Sequence, residues 1–188
     1  MGRLKATLPA GGGSDTFLTR IIRTFQQAEV EDVVVVIGHE AEAVRASVAA
    51  SGLMARLVVN ADYERGQLSS VLTGLLAIDR PGVNAILLTL VDTPFVSEET
   101  VRAVVQRYRK VHAPIVRPVR GAEHGHPVLI DRTLFEALRA ADPATGVKPI
   151  VRAHVSAGGD LPVEDEGAFL DIDTPGDYAR AMALFVAR

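Results

Sequence analysis

Short apolar runs alternate with helical patterns along most of the chain. The two longest runs are VVVVI at residues 33–37 and AILLTLV at residues 85–91. Both are far shorter than the roughly 20 residues of a membrane span, so they predict buried strands. Elsewhere, apolar residues recur every three or four positions, which is typical of amphipathic helices. The alternation predicts repeated strand-helix units and an α/β fold with a largely parallel sheet.

After Tyr108 the pattern changes to short β-type pieces between shorter helices, which predicts an antiparallel addition to the parallel core. Neither a linker nor a repeat interrupts the chain, so we expect residues 1–188 to form a single domain. Helices are predicted to start at Asp15 or Thr16, to cover residues 39–50 and 67–78, and to start at Ser97, near Asp131, near Gly146 and at Thr174; further strands are predicted at residues 56–60, 113–116, 126–130, 161–163 and 169–172.

Composition narrows the class of protein. With 188 residues, 48% of them hydrophobic, the chain is long enough for one core. Its net charge of −3 lacks the basic excess that favours nucleic acid or anionic membrane, so we expect small-molecule or protein partners. The absence of cysteine excludes a disulfide framework, a thiolate zinc site and a cysteine nucleophile. No apolar segment of signal-peptide length opens the sequence, so the cytoplasm is the expected location.

The strongest candidate for chemistry is Asp92, which directly follows the apolar run at residues 85–91. Pro94 stops the predicted strand two residues later. In open α/β sheets ligands bind at the carboxyl ends of strands, and a carboxylate there offers hard oxygen ligands to a magnesium-nucleotide. The alternative is that Asp92 only caps the following turn. Its position at the ligand-binding edge favours a functional role.

A second acidic motif reads LDIDTP at residues 170–175. Alternation in an extended segment places Asp171 and Asp173 on the same side. Asp173 or Thr174 then starts the last helix, with Pro175 suited to its first turn. Because aspartate is a common helix N-cap, the residue type of Asp173 fits a cap as well as a metal ligand.

Three weaker signals come from phosphate-type and histidine residues. Lys5 lies in a stretch poor in charge and would neutralise a phosphate, although most lysines are simply solvated. Gly66, Ser69 and Ser70 begin a predicted helix, where amides and hydroxyls contact a base or phosphate, or where serine acts as a cap. The segment HGHP at residues 124–127 lacks an evident third metal ligand, which favours a substrate contact or a surface loop.

Two familiar enzyme classes are excluded by missing motifs. The chain has no G-x-S-x-G element, so a serine hydrolase of that type is not supported. It also has no GKS or GKT phosphate loop, which excludes the P-loop NTPases. The triple glycine at residues 11–13 has no strand before it and reads as a flexible turn.

Taken in order along essentially the whole chain, the motifs resemble those of the molybdenum cofactor cytidylyltransferases and related molybdopterin nucleotidyltransferases. The resemblance implies a three-layer, Rossmann-like fold of the GT-A type. One motif departs from the family, since V-D-T-P at residues 91–94 stands where G-D-Q-P is usual. The matching elements are Met1-Gly2 through Lys5, Leu8 and Pro9 (the last third of L-A-A-G-x-S-x-R-M-G-x-x-K-x-x-L-P), VVVVIGH at 33–39, NADYERG at 60–66, Ser69 and Ser70, GHPV at 125–128 and DIDTP at 171–175.

The resemblance also implies a reaction. An acceptor phosphate attacks the α-phosphorus of a nucleoside triphosphate, CTP or GTP, and Mg²⁺ offsets the charge as pyrophosphate leaves. The implied roles are phosphate binding by Gly2 and Lys5, nucleotide contact by Asn60, Gly66, Ser69 and Ser70, metal binding by Asp92 and Asp173 with Asp171 as the alternative, and acceptor contact by Thr93, His126 and Pro127.

Two alternatives stay open. The same chemistry fits another acceptor, such as a sugar phosphate, methylerythritol phosphate or phospholactate, because fold does not fix substrate. The second alternative is a binding or regulatory protein that keeps the pocket but has lost catalysis. A doubly wound fold normally opens with a buried strand and a phosphate loop, yet this sequence starts inside that loop. We therefore expect that Met1 is a misplaced start or that the chain is truncated. Reading the upstream DNA for in-frame codons of L-A-A-G-x-S-x-R tests this, and their absence would favour the non-enzymatic alternative.

Overall fold

The structure, a computed structural model, describes residues 4–186. The predicted phosphate contact Gly2 lies outside this range. Most elements match the predicted ones within a few residues. The helices are α1 (Phe17–Gln27), α2 (Ala41–Ser51), α3 (Gln67–Ile78), α4 (Glu98–Val111), α5 (Phe135–Arg139), α6 (Lys148–His154) and α7 (Pro175–Phe185); the strands are β1 (Val34–Ile37), β2 (Arg56–Val59), β3 (Ala85–Leu88), β4 (Ile115–Arg120), β5 (Glu123–His124), β6 (Val128–Asp131) and β7 (Asp160–Pro162).

The strands form a parallel pair and a larger, mainly antiparallel sheet. β1 and β2 pair in parallel, with Val34 opposite Arg56 and Ile37 opposite Val59. In the larger sheet β6 lies between β3 and β4 and runs antiparallel to both, while β7 joins β4 in parallel. The α/β class is therefore confirmed. The antiparallel part is larger than the predicted tail, since it includes β3.

The parallel pair and the larger sheet lie beside each other and share a helical cover. Val33 and Leu87 contribute to one apolar cluster, although one precedes β1 and the other lies in β3. Within residues 4–186, β1 pairs only with β2 and β3 pairs only with β6. Among these residues, the parallel pair and the larger sheet are therefore separate hydrogen-bonded sheets.

Helices cover both faces of the strands. α3 packs against β1 and, through Leu68, Val71 and Leu75, joins the core cluster that contains Ile86 and Ile130 of the larger sheet. α1 packs against both α2 and α4 on the other side. The three-layer arrangement follows from amphipathic helices that bury one stripe each. In the described part of the chain, no helix combines the length and apolar character needed to span a membrane.

Two strand predictions near the candidate site are wrong. β3 ends at Leu88 and not at Val91, because the chain turns there and Thr93 donates its amide back to the Leu90 carbonyl at 3.3 Å. Residues 169–172 do not form a strand; a 3-10 turn, Glu166–Ala168, precedes them. A Cβ on Gly167 would lie 1.9 Å from the Phe95 carbonyl oxygen, so this turn packs directly on backbone.

Candidate active site

Asp92 lies in the turn after β3, at the end of the strand where the sequence placed it. Thr93 fixes this turn, because its side chain is fully buried and its hydroxyl donates to the Leu90 carbonyl at 3.0 Å. The Asp92 side chain is 23% exposed, and among the described residues its buried Oδ1 has no hydrogen-bond partner. An unpaired buried carboxylate oxygen is costly and is a common mark of a ligand site.

The acidic segment before α7 lies against the Asp92 turn. The amide of Ile172 donates to the Asp92 carbonyl at 2.9 Å, and its side chain is fully buried. Because side chains alternate along an extended segment, burial of Ile172 directs Asp171 and Asp173 away from the core. The two acidic motifs, 78 positions apart between residues 92 and 170, thus meet at one point.

Lys5 brings a positive charge between the two motifs. Its Nζ donates to Asp173 Oδ1 at 2.6 Å and lies 3.7 Å from Asp92 Oδ2. Partial burial alone would lower the pKa of Lys5, but the hydrogen bond to Asp173 and the charge of Asp92 raise it. Lys5 is therefore a protonated ammonium at neutral pH.

Among the described side chains around Lys5, negative charges nevertheless outnumber positive ones. Burial, and then the nearby charge of Asp92, raises the pKa of Asp171. His126 lies near the same carboxylates, and its own pKa is lowered by burial, so it does not supply a permanent positive charge. Among residues 4–186, three carboxylates therefore lie near one ammonium, and a further cation would offset the remaining negative charge.

His126 and Pro127 are held rigidly beside this cluster. The His126 amide donates to the Ala168 carbonyl at 2.8 Å, and the peptide bond to Pro127 is cis. Gly125 admits no side chain, because a Cβ would lie 2.5 Å from the Ala168 oxygen. The buried Nδ1 of His126 has no partner within the described residues. The backbone contacts of Gly125 and His126 with Ala168 therefore fix this segment beside the carboxylates.

The nucleotide-type residues form a separate loop between β2 and α3. Asn60 is buried and donates to the hydroxyls of Ser69 at 2.8 Å and Ser70 at 3.0 Å. Its side-chain oxygen accepts from the Asp62 amide. Gly66 has a φ of +94° at the start of α3, a conformation that glycine adopts without strain. Asn60 therefore shapes the loop, and the predicted nucleotide contacts remain predictions.

One organising residue, Asp177, was missed by the sequence reasoning. Thr174, and not Asp173, is the N-cap of α7; its hydroxyl accepts from the Asp177 amide at 3.1 Å. The Asp177 carboxylate accepts from the Thr174 amide at 2.8 Å and completes a capping box. The signal was present as T-x-x-D at residues 174–177. Since Thr174 supplies the cap, the Asp173 carboxylate is left for Lys5 or a ligand.

The carboxylates of Asp92, Asp171 and Asp173 do not lie close enough together in this structure to form a metal site. Among residues 4–186, no three acidic or histidine side chains form a ready metal-binding group. Their donor set still suits a hard divalent cation, because within residues 4–186 one Asp92 oxygen has no hydrogen-bond partner and the carboxylates outnumber the ammonium. Acidic and basic side chains at the carboxyl edge of an α/β sheet are typical of proteins that handle phosphorylated ligands.

Comparison with known proteins defines the family. Residues 1–157 match the MobA-like NTP transferase domain. The chain therefore belongs to the MobA-like NTP transferase family. A bifunctional IPC transferase and DIPP synthase from Rubrobacter xylanophilus is 30% identical over 86% of this chain, but over only 43% of its own length. The chain spans about half the length of the curated relatives it matches.

Solved structures support the same placement. The Mycobacterium tuberculosis protein Rv0371c, in complex with manganese, superposes with a TM-score of 0.77 and is 29% identical, covering 97% of this chain and 93% of that one. A nucleotidyl transferase from Methanothermobacter gives a TM-score of 0.78 at 23% identity, covering 96% of this chain and 84% of the other. The first of these is a relative with a bound divalent metal; the second shows the shared fold.

Proposed function

We propose that this chain is a divalent-metal-dependent nucleotidyltransferase. It transfers a nucleoside monophosphate, CMP by preference, from a nucleoside triphosphate to a phosphorylated acceptor of the molybdopterin type and releases pyrophosphate. The observation that carries the proposal is the meeting of Lys5, Asp92 and Asp173 at one end of the sheet. Family membership supports the reaction class. We also propose that residues 1–188 form one domain.

Asp92 and Asp173 would hold the metal, with Asp171 as the alternative ligand. The unpaired Oδ1 of Asp92 and the exposed carboxylate of Asp173 are the oxygens free to bind it. Bound Mg²⁺ neutralises phosphate charge and stabilises the charge that develops as the α-phosphorus is attacked. The manganese in the tuberculosis relative supports a divalent metal, and Mg²⁺ is our proposal for the working ion.

The remaining residues bind and orient. The ammonium of Lys5 would bind the β- and γ-phosphates and stabilise the pyrophosphate as it departs. The loop that contains Asn60, Gly66, Ser69 and Ser70 would present amides and hydroxyls to the nucleotide. On the acceptor side, the imidazole of His126, which lies near Asp92 and Asp171, would contact the acceptor. Positioning two anions in line is the main contribution, and no protein nucleophile is needed.

Thr93 and Pro127 shape the acceptor side without exposed polar atoms of their own. Thr93 is fully buried, so its effect on the acceptor would come from fixing the Asp92 turn. Pro127 follows His126 directly, and its ring fixes its own backbone φ. A different phosphorylated acceptor is the second candidate, and the name of the Rubrobacter relative, an IPC transferase, is the observation that favours it.

The test is a matrix of nucleotides and acceptors. Purified protein is incubated with Mg²⁺ and either CTP or GTP, together with molybdopterin, methylerythritol phosphate, phospholactate or a sugar phosphate, and pyrophosphate is measured. We expect release with CTP and molybdopterin, and none after EDTA removes the metal. If pyrophosphate were released only with one of the other acceptors, that compound would replace molybdopterin as the proposed acceptor. Nucleotide binding by calorimetry without turnover in any combination would contradict the enzyme assignment.

A further inference from the structure

The ammonium of Lys5 occupies the space that a bridging cation would need. Its nitrogen lies 2.6 Å from an Asp173 oxygen and 3.7 Å from an Asp92 oxygen, and both carboxylates belong to the proposed metal site. Carboxylate oxygens lie about 2.0–2.1 Å from Mg²⁺. The Lys5 ammonium in its present position therefore prevents a metal from bridging the two carboxylates, and a bridging metal would displace the ammonium.

The surrounding residues are arranged around the ammonium. Side chains of Lys5 and Asp92 are only 27% and 23% exposed, so the interaction between them is partly shielded from water. The Asp173 carboxylate accepts no hydrogen bond of the α7 cap, which Thr174 and Asp177 form by themselves. The ammonium lies within reach of both carboxylates, at 2.6 Å from Asp173 and 3.7 Å from Asp92.

We infer that Lys5 is a resident counter-ion that keeps a divalent metal from binding alone, and that the nucleotide phosphates release the site by drawing Lys5 away from Asp173. This inference rests on the proposed function, because it takes Asp92 and Asp173 as the metal ligands. Metal and nucleotide then bind cooperatively, since each favours the state in which Lys5 has left the carboxylates. Without nucleotide, the Lys5 ammonium stays between Asp92 and Asp173, and metal binding at these two carboxylates is favoured only once the nucleotide phosphates have drawn it away.

The Lys5 side chain has the geometry for such a switch. Lys5 begins a 3-10 turn, Lys5–Thr7, that is fixed by the Thr7 amide on the Leu4 carbonyl and by the Leu8 amide on the Lys5 carbonyl, at 3.1 and 3.0 Å. The backbone therefore stays in place while the four-carbon stem of lysine rotates. Only the ammonium has to move.

The experiment measures metal binding without nucleotide. Mn²⁺ is titrated into the full chain, and free Mn²⁺ is followed by electron paramagnetic resonance for the wild type, Lys5→Met and Lys5→Arg. Lys110→Met, which removes an exposed lysine on α4, is the matched control. Lys5→Gln serves as a second neutral variant, and circular dichroism verifies that each variant is folded.

We expect both neutral variants to bind Mn²⁺ more tightly than the wild type by at least about fivefold, the lower end of ordinary coupling between sites. Lys5→Arg and Lys110→Met should bind like the wild type. Equal or weaker Mn²⁺ binding by folded Lys5→Met and Lys5→Gln would overturn the inference. The Mn²⁺ titration contains no nucleotide, so it does not measure turnover. If the variants do not bind Mn²⁺ more tightly but the wild type still releases pyrophosphate, only the counter-ion role of Lys5 is contradicted and the proposed function stands.

Discussion

At the scale of single residues, the chain leading from Lys5 to α1 depends on Asp15. Its carboxylate accepts two hydrogen bonds from Arg23, both at 3.0 Å, and one from the Thr19 hydroxyl. Its carbonyl accepts from the Ala10 amide at 2.8 Å. The hydrogen bond with Arg23 is the main cause that lowers the pKa of Asp15. The ion pair therefore stabilises the fold only while Asp15 is ionised.

Asp15→Asn should lower the free energy of unfolding by about 1 kcal/mol near neutral pH. A lowered carboxyl pKa gives stability that is present above the unfolded pKa, near 3.8, and is lost as the pH falls through the folded value. The difference between wild type and variant should thus shrink below about pH 4. Urea unfolding at several pH values measures it, and Arg23→Gln should behave alike. A difference that stays constant with pH would contradict the ion-pair account.

Site residues differ in how far the sequence could predict them. Asp92 was predicted from an apolar run that ends in a carboxylate, because that pattern is local. The contact of Lys5 with Asp173 spans 168 positions and was not predicted, because the family resemblance implied only separate roles for the two residues, in phosphate and metal binding. Burial of Thr93 was not predicted, because the position of a threonine after a strand is equally compatible with an exposed and a buried side chain. The unpaired Nδ1 of His126 likewise depends on packing that no local pattern contains.

At the scale of elements, the start of α7 shows which residue of the DIDTP motif is the helix cap. The sequence left open whether Asp173 is a cap or a metal ligand. Thr174 and Asp177 form the cap, while the Asp173 side chain extends to Lys5. Tyr178 on the same helix donates to the Pro9 carbonyl at 3.1 Å and ties α7 to the segment that contains Lys5. The helix thus holds both partners of the Lys5–Asp173 pair.

Thr174→Ala should therefore destabilise the protein by about 1 kcal/mol, because the α7 amides lose their cap. Asp173→Asn should change stability by less than about 0.5 kcal/mol, since it removes only a partly exposed ion pair. Thermal or urea unfolding of both variants checks this order. A loss in Asp173→Asn that equals the loss in Thr174→Ala would show that Asp173 is a structural cap.

Helices were predicted better than strands for a physical reason. α3 coincides with the predicted residues 67–78, and Thr16, Ser97 and Thr174 are the caps that the sequence indicated. Helical periodicity and caps are local signals. The extended residues 169–172 resembled a strand, but their pairing partner depends on distant parts of the chain. There the Ile172 amide binds the Asp92 carbonyl and no ladder forms.

At the scale of the whole molecule, the fold brings an acidic end of a strand, an acidic segment before the last helix and an amino-terminal lysine to one point. Apolar clusters beneath it hold them there; Leu8, Phe17 and Phe95 pack with Ile172 and Ala181. The fold class followed from the alternation of strands and helices. The order of strands did not, because the insertion of β6 between β3 and β4 is a long-range pairing.

The most direct test of the account is metal-dependent pyrophosphate release by wild type and Asp92→Asn. With Mg²⁺, CTP and a phosphorylated acceptor, the wild type should release pyrophosphate, and EDTA should stop it. Asp92→Asn should lose at least about a hundredfold in rate while its circular dichroism stays unchanged. Glu42→Gln, at a side chain that is 92% exposed, should keep full activity. Full activity in folded Asp92→Asn would contradict the central claim.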